Sequence, residues 1–234
     1  MTSVGERLNE VRERIERACA RVGRSPAEIL LVAVTKTVSV EGIQQAVDAG
    51  VRLLGENKVQ EAATKVGLVR GDVTWHMVGH LQRNKVRKAI GLFQMIQSVD
   101  SEPLAEEIDR RAAEAGKPID VMIEVNTSGE GTKFGASPED CVDLAAKMSH
   151  FKHISVTGLM TIGALTPDQK VVRACFKRLR DLAERIRDAK IENAKMDYLS
   201  MGMTLDFEAA IEEGSNVVRI GTAIFGSRQD GFST

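Results

Sequence analysis

The chain has 234 residues, of which 43% are hydrophobic and 28% charged, with a formal net charge of -1. That balance suits a globular fold in water and excludes the basic footprint expected of a nucleic-acid or anionic-membrane binder. No apolar run approaches the roughly 18 residues of a membrane span, and the charged N-terminal stretch lacks a signal peptide's apolar core, so a cytoplasmic protein is expected.

The elements follow in chain order. Val4, Leu8, Val11, Ile15, Ala18 and Val22 recur at spacings of three and four, which predicts an amphipathic helix ended by "GRSP". Strand-like and helix-like segments then alternate. The strands are "ILLVAVT" from Ile29, "VRLLGE" from Val51, "VTWHMVGH" from Val73 and "FQMIQSV" from Phe93. They continue with "IDVMIEVN" from Ile119, "ISVTGLMTI" from Ile154, "MDYLSMG" from Met196 and "NVVRIG" from Asn216. Helices are predicted over Ser39–Ala49, Asn57–Val66, Gln82–Ile90, Glu102–Ala115, Pro138–Met148, Gln169–Ala189 and Leu205–Glu213. Ser39 and Ser137 read as N-caps, the latter with Pro138 in the first turn, and Gly116 and Gly214 as helix stops.

Eight such units, several with strands apolar on both faces, predict an α/β fold. It is a (β/α)8 TIM-type barrel with an extra N-terminal helix, in one domain over 1–234. A doubly wound open sheet shares the local pattern and stands as the alternative. Little chain follows the eighth strand, so the eighth helix is expected to be short or missing, with the N-terminal helix covering that side. The three cysteines, Cys19, Cys141 and Cys175, are dispersed without metal-ligand spacing and read as reduced thiols; no metal site is expected.

Barrels place their chemistry at the C-terminal ends of the strands. That rule selects Thr35 and Lys36, Glu56 and Asn57, Gly79 and His80, Asn126 to Ser128, Lys133, and the loops "SMGMT" and "RIGT". The last two follow strands seven and eight, where barrels commonly bind phosphate. Ser200 and Thr222 offer hydroxyls, Gly202 and Gly221 allow close backbone approach, and "SMGMT" leads into a helix whose first amides carry partial positive charge. Arg219 adds a cation. Lys36 is either a solvated strand end or, if buried, an amine reactive enough to form a Schiff base. Beside a phosphate cradle, a reactive lysine fits a phosphosugar aldolase or a protein of pyridoxal 5'-phosphate (PLP); its place on the first strand leans to PLP. "GEGTKFG" (Gly129 to Gly135) reads as a lid loop whose Lys133 reaches toward a ligand. His76 and His80 point differently along a strand and make no metal pair.

These motifs stand in order with "GENKVQE", "WHMVGHLQRNK", "VNTSGEGTKFG" and "LSMGMTLDFEAAIEEGSNVVRIGTAIFG". The chain therefore resembles the pyridoxal phosphate homeostasis protein family over nearly its whole length. The resemblance implies a barrel of the alanine racemase N-terminal type (a fold type III PLP barrel) and PLP held as a Schiff base on Lys36. It implies a phosphate held by Ser200, Gly202, Gly221 and Thr222, Arg219 facing the pyridine nitrogen, and Asn57 beside the cofactor. Thr204 stands where many members carry serine; either hydroxyl suits a helix N-cap. The implied function is PLP (vitamin B6) homeostasis: binding PLP and other B6 vitamers and delivering PLP to apo-enzymes, as a monomer without strong catalytic activity. Arg219 supports that reading. A PLP enzyme that uses the ring as an electron sink sets a carboxylate at the ring nitrogen, whereas arginine is a permanent donor that favours the unprotonated nitrogen. A racemase also needs a second base; the only tyrosine, Tyr198, lies in a predicted strand. The alternatives are a PLP-dependent, racemase-like enzyme with a base among His80, Lys133 or a partner chain, and, more distantly, a Schiff-base aldolase.

Overall fold

The computed structural model describes residues 2–226; residues 227–234 of the short C-terminal stretch lie outside that range. The described residues begin with α1 (Val4–Arg21), followed by β1 (Leu30–Val34), α2 (Val40–Asp48), β2 (Leu53–Glu56), α3 (Val59–Ala62) and β3 (Thr74–Met77). Then come α4 (Val86–Leu92), β4 (Met95–Val99), α5 (Glu102–Ala115), β5 (Ile119–Glu124), α6 (Cys141–Met148) and β6 (Ile154–Met160). The last are α7 (Gln169–Asp188), β7 (Ala194–Ser200), α8 (Phe207–Glu212), β8 (Val217–Ile220) and α9 (Thr222–Phe225).

All eight strands pair in parallel with their sequence neighbours, and β8 pairs with β1, so the sheet closes into a barrel. The open-sheet alternative is thereby excluded. One apolar layer lies between the barrel and its helices. A second fills the barrel interior with Val32, Val34, Val78, Met95, Met122, Met160 and Val217, against which Tyr198 packs. At Gly158 a Cβ would stand 2.1 Å from the Tyr198 carbonyl oxygen, so β6 and β7 approach as they do only because that residue is glycine.

The N-terminal helix does cover the side left by the four-residue α9. Leu8, Val11 and Ile15 are buried, each stabilising by about 1.5–3 kcal/mol. Arg7 Nε donates to the Ile224 carbonyl at 2.7 Å, and the Arg14 guanidinium lies 4.4 Å from the centre of the Phe207 ring. The predicted caps Ser39 and Gly116 are present, the glycine in the left-handed conformation.

Four local expectations are corrected. The helix predicted over 57–66 is α-helical only over Val59–Ala62, because the Thr64 hydroxyl takes the Glu61 carbonyl at 2.8 Å and the following residues tighten into turns. The segment from Gln82 divides into a short 3-10 turn, Arg83–Lys85, and α4. Ser137 caps a turn rather than a helix: its hydroxyl accepts from the Asp140 amide at 3.1 Å, and α6 starts only at Cys141, so Pro138 precedes the helix. "SMGMT" does not run straight into a helix. Asp206, not Thr204, holds the N-cap position of α8, and its carboxylate closes the loop by accepting from the Met203 amide at 2.6 Å.

Among the described residues no helix is long and apolar enough to cross a membrane. The three cysteines are buried and unpaired, and burial pushes the Cys141 thiol up to about 12, which leaves it inert as a nucleophile at neutral pH.

Candidate functional site

Because every strand runs in the same direction, Lys36, Asn57, His80, Glu124, Ser200 and the β8 loop all gather at the C-terminal end of the barrel. Lys36 follows β1 and is exposed. The burial on which its reactivity was argued is therefore not the arrangement here; what distinguishes Lys36 from an ordinary solvated strand end is its setting. Thr35 before it is fully buried, and Thr37 after it holds a φ of 62°, a left-handed conformation unusual for a β-branched residue. Asn57 is half-buried at the end of β2, with its backbone amide donating to the Glu56 carboxylate at 3.2 Å.

The loops after β7 and β8 meet. Thr204 Oγ1 accepts from the Ala223 amide at 3.4 Å, joining them; that is the role of the hydroxyl expected to cap a helix. Gly202 has a φ of 94°, and a Cβ there would stand 2.5 Å from the Ala210 Cβ and 2.8 Å from the Phe207 Cα. Among the described residues, the amides of Gly202, Thr204, Gly221 and Thr222 donate to no protein acceptor. Gly202 is itself buried. An amide in such a place is costly unless something accepts from it, and four amides from two joined loops make a cradle for anionic oxygens.

Below the mouth, polar groups cross the barrel interior in one line. Arg219, on β8, donates to the Thr161 carbonyl at 2.8 Å and to Ser200 Oγ at 2.6 Å. Ser200 donates to Gln97 Oε1 at 2.6 Å, and Gln97 Nε2 lies 2.9 Å from His76 Nδ1. Arginine can only donate, so Ser200 Oγ is the acceptor in that bond. With Gln97 Oε1 accepting the Ser200 hydrogen, Gln97 Nε2 is the group facing Nδ1 and donates to it, which makes His76 neutral with its proton on Nε2. Burial pushes His76 down to about 4, in agreement with a neutral ring. Ser200, expected from sequence to face a phosphate, thus has its hydroxyl hydrogen engaged inside the barrel.

Arg219 is buried, and burial lowers it to about 10 against the pull of Glu124 and Asp206, so it remains a cation at neutral pH. Glu124, at the end of β5, is raised to about 7, chiefly by burial; Arg219 opposes that rise and Asp100 adds to it. Sequence reading passed over Glu124, Gln97 and Thr161, although a glutamine within the apolar "FQMIQSV" was a signal that something polar had to meet it.

The loop Asn126 to Gly135 is ordered by the Asn126 side chain, whose Oδ1 accepts from the Gly129 amide at 3.1 Å. Phe134 stacks on His80 with ring centroids 3.8 Å apart. Lys133 donates to the Gly163 carbonyl at 2.8 Å and to Glu130 at 2.6 Å. It ties this loop to the one after β6 instead of reaching into the mouth.

The profile of the family described as the alanine racemase N-terminal domain matches residues 7–229. The chain belongs to this family. Curated relatives within it are named pyridoxal phosphate homeostasis protein. The one from Aquifex aeolicus is 41% identical over 225 residues, covering 96% of this chain and 98% of the relative. The one from Escherichia coli is 40% identical over 233 residues, covering 97% and 98%. The motif-based resemblance is thus borne out. Among solved structures, PipY of Synechococcus elongatus with PLP bound is 34% identical, has a TM-score of 0.81, and is matched over 91% of this chain and 100% of its own. An alanine racemase of Clostridium difficile shares the barrel at a TM-score of 0.74 and 15% identity, and 58% of its chain is covered; at that identity the likeness is one of fold.

Proposed function

We propose that this alanine racemase N-terminal domain family member is a PLP-binding homeostasis protein, working in the cytoplasm as a single-domain monomer. The observation that carries the reading is the placement of Lys36 at the same barrel mouth as the unpartnered amides of the Gly202 and Gly221 loops. Relatives named for pyridoxal phosphate homeostasis, and a PLP-bound structure of one similar protein, support it.

PLP, when bound, supplies an aldehyde that a lysine amine can join with loss of one water, and a phosphate that needs several donors. Lys36 supplies the amine. The amides of Gly202, Thr204, Gly221 and Thr222 supply donors. The Thr222 hydroxyl stands beside them, and that of Ser200 joins them by exchanging its bond to Gln97. Asn57 lines the β2 side. Arg219 would be the cationic donor for the ring nitrogen, as the family resemblance implies, and there would favour the nitrogen without a proton, the state poorer at drawing electrons. On this chain His80 is stacked on Phe134, Lys133 is tied to Gly163, and Tyr198 belongs to the barrel packing, so these three side chains are already engaged. These arrangements support binding over amino-acid catalysis; delivery to apo-enzymes completes the proposed role, and other phosphorylated B6 vitamers would share the cradle.

Reduction with borohydride after incubation with PLP, read by intact mass, tests the anchor. One pyridoxyl phosphate per chain is expected in the wild type and none in Lys36→Ala. An unlabelled wild type, or a labelled variant, would overturn the reading. For the catalytic alternative, exchange of amino-acid α-protons in deuterated water is expected to stay far below about 1 per second; exchange at that rate would establish an enzyme.

A further inference from the structure

Lys65 lies just beyond α3, four residues after Glu61. In the structure its side chain is 7% exposed, and its ammonium makes three bonds. They run to the Thr35 carbonyl at 2.8 Å, to Glu56 Oε1 at 2.7 Å and to Glu61 Oε1 at 2.7 Å. An ammonium has three donors, so all are used and the geometry has no slack. The two carboxylates extend the cluster to the neighbours of Lys36. Glu56, fully buried, accepts from Thr35 Oγ1 at 2.7 Å and from the Asn57 amide. Glu61 accepts from the Thr37 amide. A left-handed threonine persists only where its surroundings over-determine it, and here the bond to its own amide comes from this cluster.

We propose that Lys65 is a positioning residue for Lys36: through Thr35 on one side and Glu61–Thr37 on the other, it holds the backbone that aims the Lys36 amine across the mouth. This rests on reading Lys36 as the anchor of PLP. The same cluster also joins α3 to β1 and β2, so the test must separate aim from stability.

Two quantities do so: the rate of covalent capture of PLP, followed by borohydride trapping, and the Kd for pyridoxine 5'-phosphate, which has the phosphate and ring but no aldehyde. In Lys65→Met, capture is expected to slow by about tenfold or more, because small misplacements of a reacting group cost that much or more, while the analogue's Kd stays within about threefold. Capture as fast as in the wild type, or capture and analogue binding lost by the same factor, would overturn the proposal. Should Lys65→Met fail to fold, Glu61→Ala probes the other arm and is expected to show the same split. Glu61→Gln, which keeps an acceptor for the Thr37 amide, is expected to recover most of the rate; no recovery counts against the proposal. If the wild type itself captures no PLP, the failure lies with the Lys36 anchor and is distinguished at once.

Discussion

Replacing Gly202 by alanine is expected to lower the midpoint of thermal unfolding by about 4–24 °C and to displace the Gly202 amide from the amide cradle in the molecules that remain folded. Two costs combine. The new methyl would overlap Ala210 and the Phe207 backbone, an overpacking worth about 1–3 kcal/mol, and a non-glycine residue at a φ of 94° adds about 1–3 kcal/mol of strain. For a chain of this size each kcal/mol moves the midpoint by about 2–4 °C. The overlap can be relieved only by moving the loop away from α8, which carries the Gly202 amide with it. Differential scanning calorimetry and titration with pyridoxine 5'-phosphate read the two effects. A variant with the wild-type midpoint would show that the loop is not held as described.

The second large effect is in pH. His76 binds a proton below 6.5 when unfolded but only below about 4 when folded. Between those values the unfolded state holds more protons, so the His76 contribution is complete above 6.5 and is lost as pH falls toward 4. Glu124 has the opposite sign. Its carboxyl is raised from 4.5 to about 7, so its contribution is complete below 4.5 and is lost as pH rises through 7. Each shift corresponds to about 3 kcal/mol, and the two largely offset each other in the wild type. The variants should uncover them. Relative to wild type, His76→Gln should gain stability as pH falls from 6.5 to 4, and Glu124→Gln should gain it as pH rises from 4.5 to 7. Urea unfolding at a series of pH values measures both. Variant and wild-type curves that run parallel across the window would show that neither group is perturbed by its burial.

The sequence foretold the barrel well because strands and caps are local. Apolar runs, Ser39 before a helix and Gly116 after one each act within a few residues. Lys36 and the two glycine loops were also found, since the end of a parallel strand is a place that periodicity can locate. The interior line was not found. Ser200 meets Gln97 103 residues away in the chain, and only closure of the barrel decides which side chains face each other across it. Lys65 was hidden for a related reason. Its spacing from Glu61 is that of a solvated helix pair, and the early end of α3 at Ala62 is what lets it turn inward.

The line from Arg219 to His76 has a polarity, and Arg219 stands at its donor end. With a donor-only group at its origin, the resting line runs from Arg219 through Ser200 and Gln97 to His76. Exchanging Arg219 for glutamate would put an acceptor at the origin. Ser200 would then donate toward position 219, Gln97 would turn its amide over to donate to Ser200, and its carbonyl would face His76, whose proton would have to move to Nδ1. A change at one wall of the barrel would be written on the opposite wall as a switch of imidazole tautomer, visible in the nitrogen chemical shifts of a single ring.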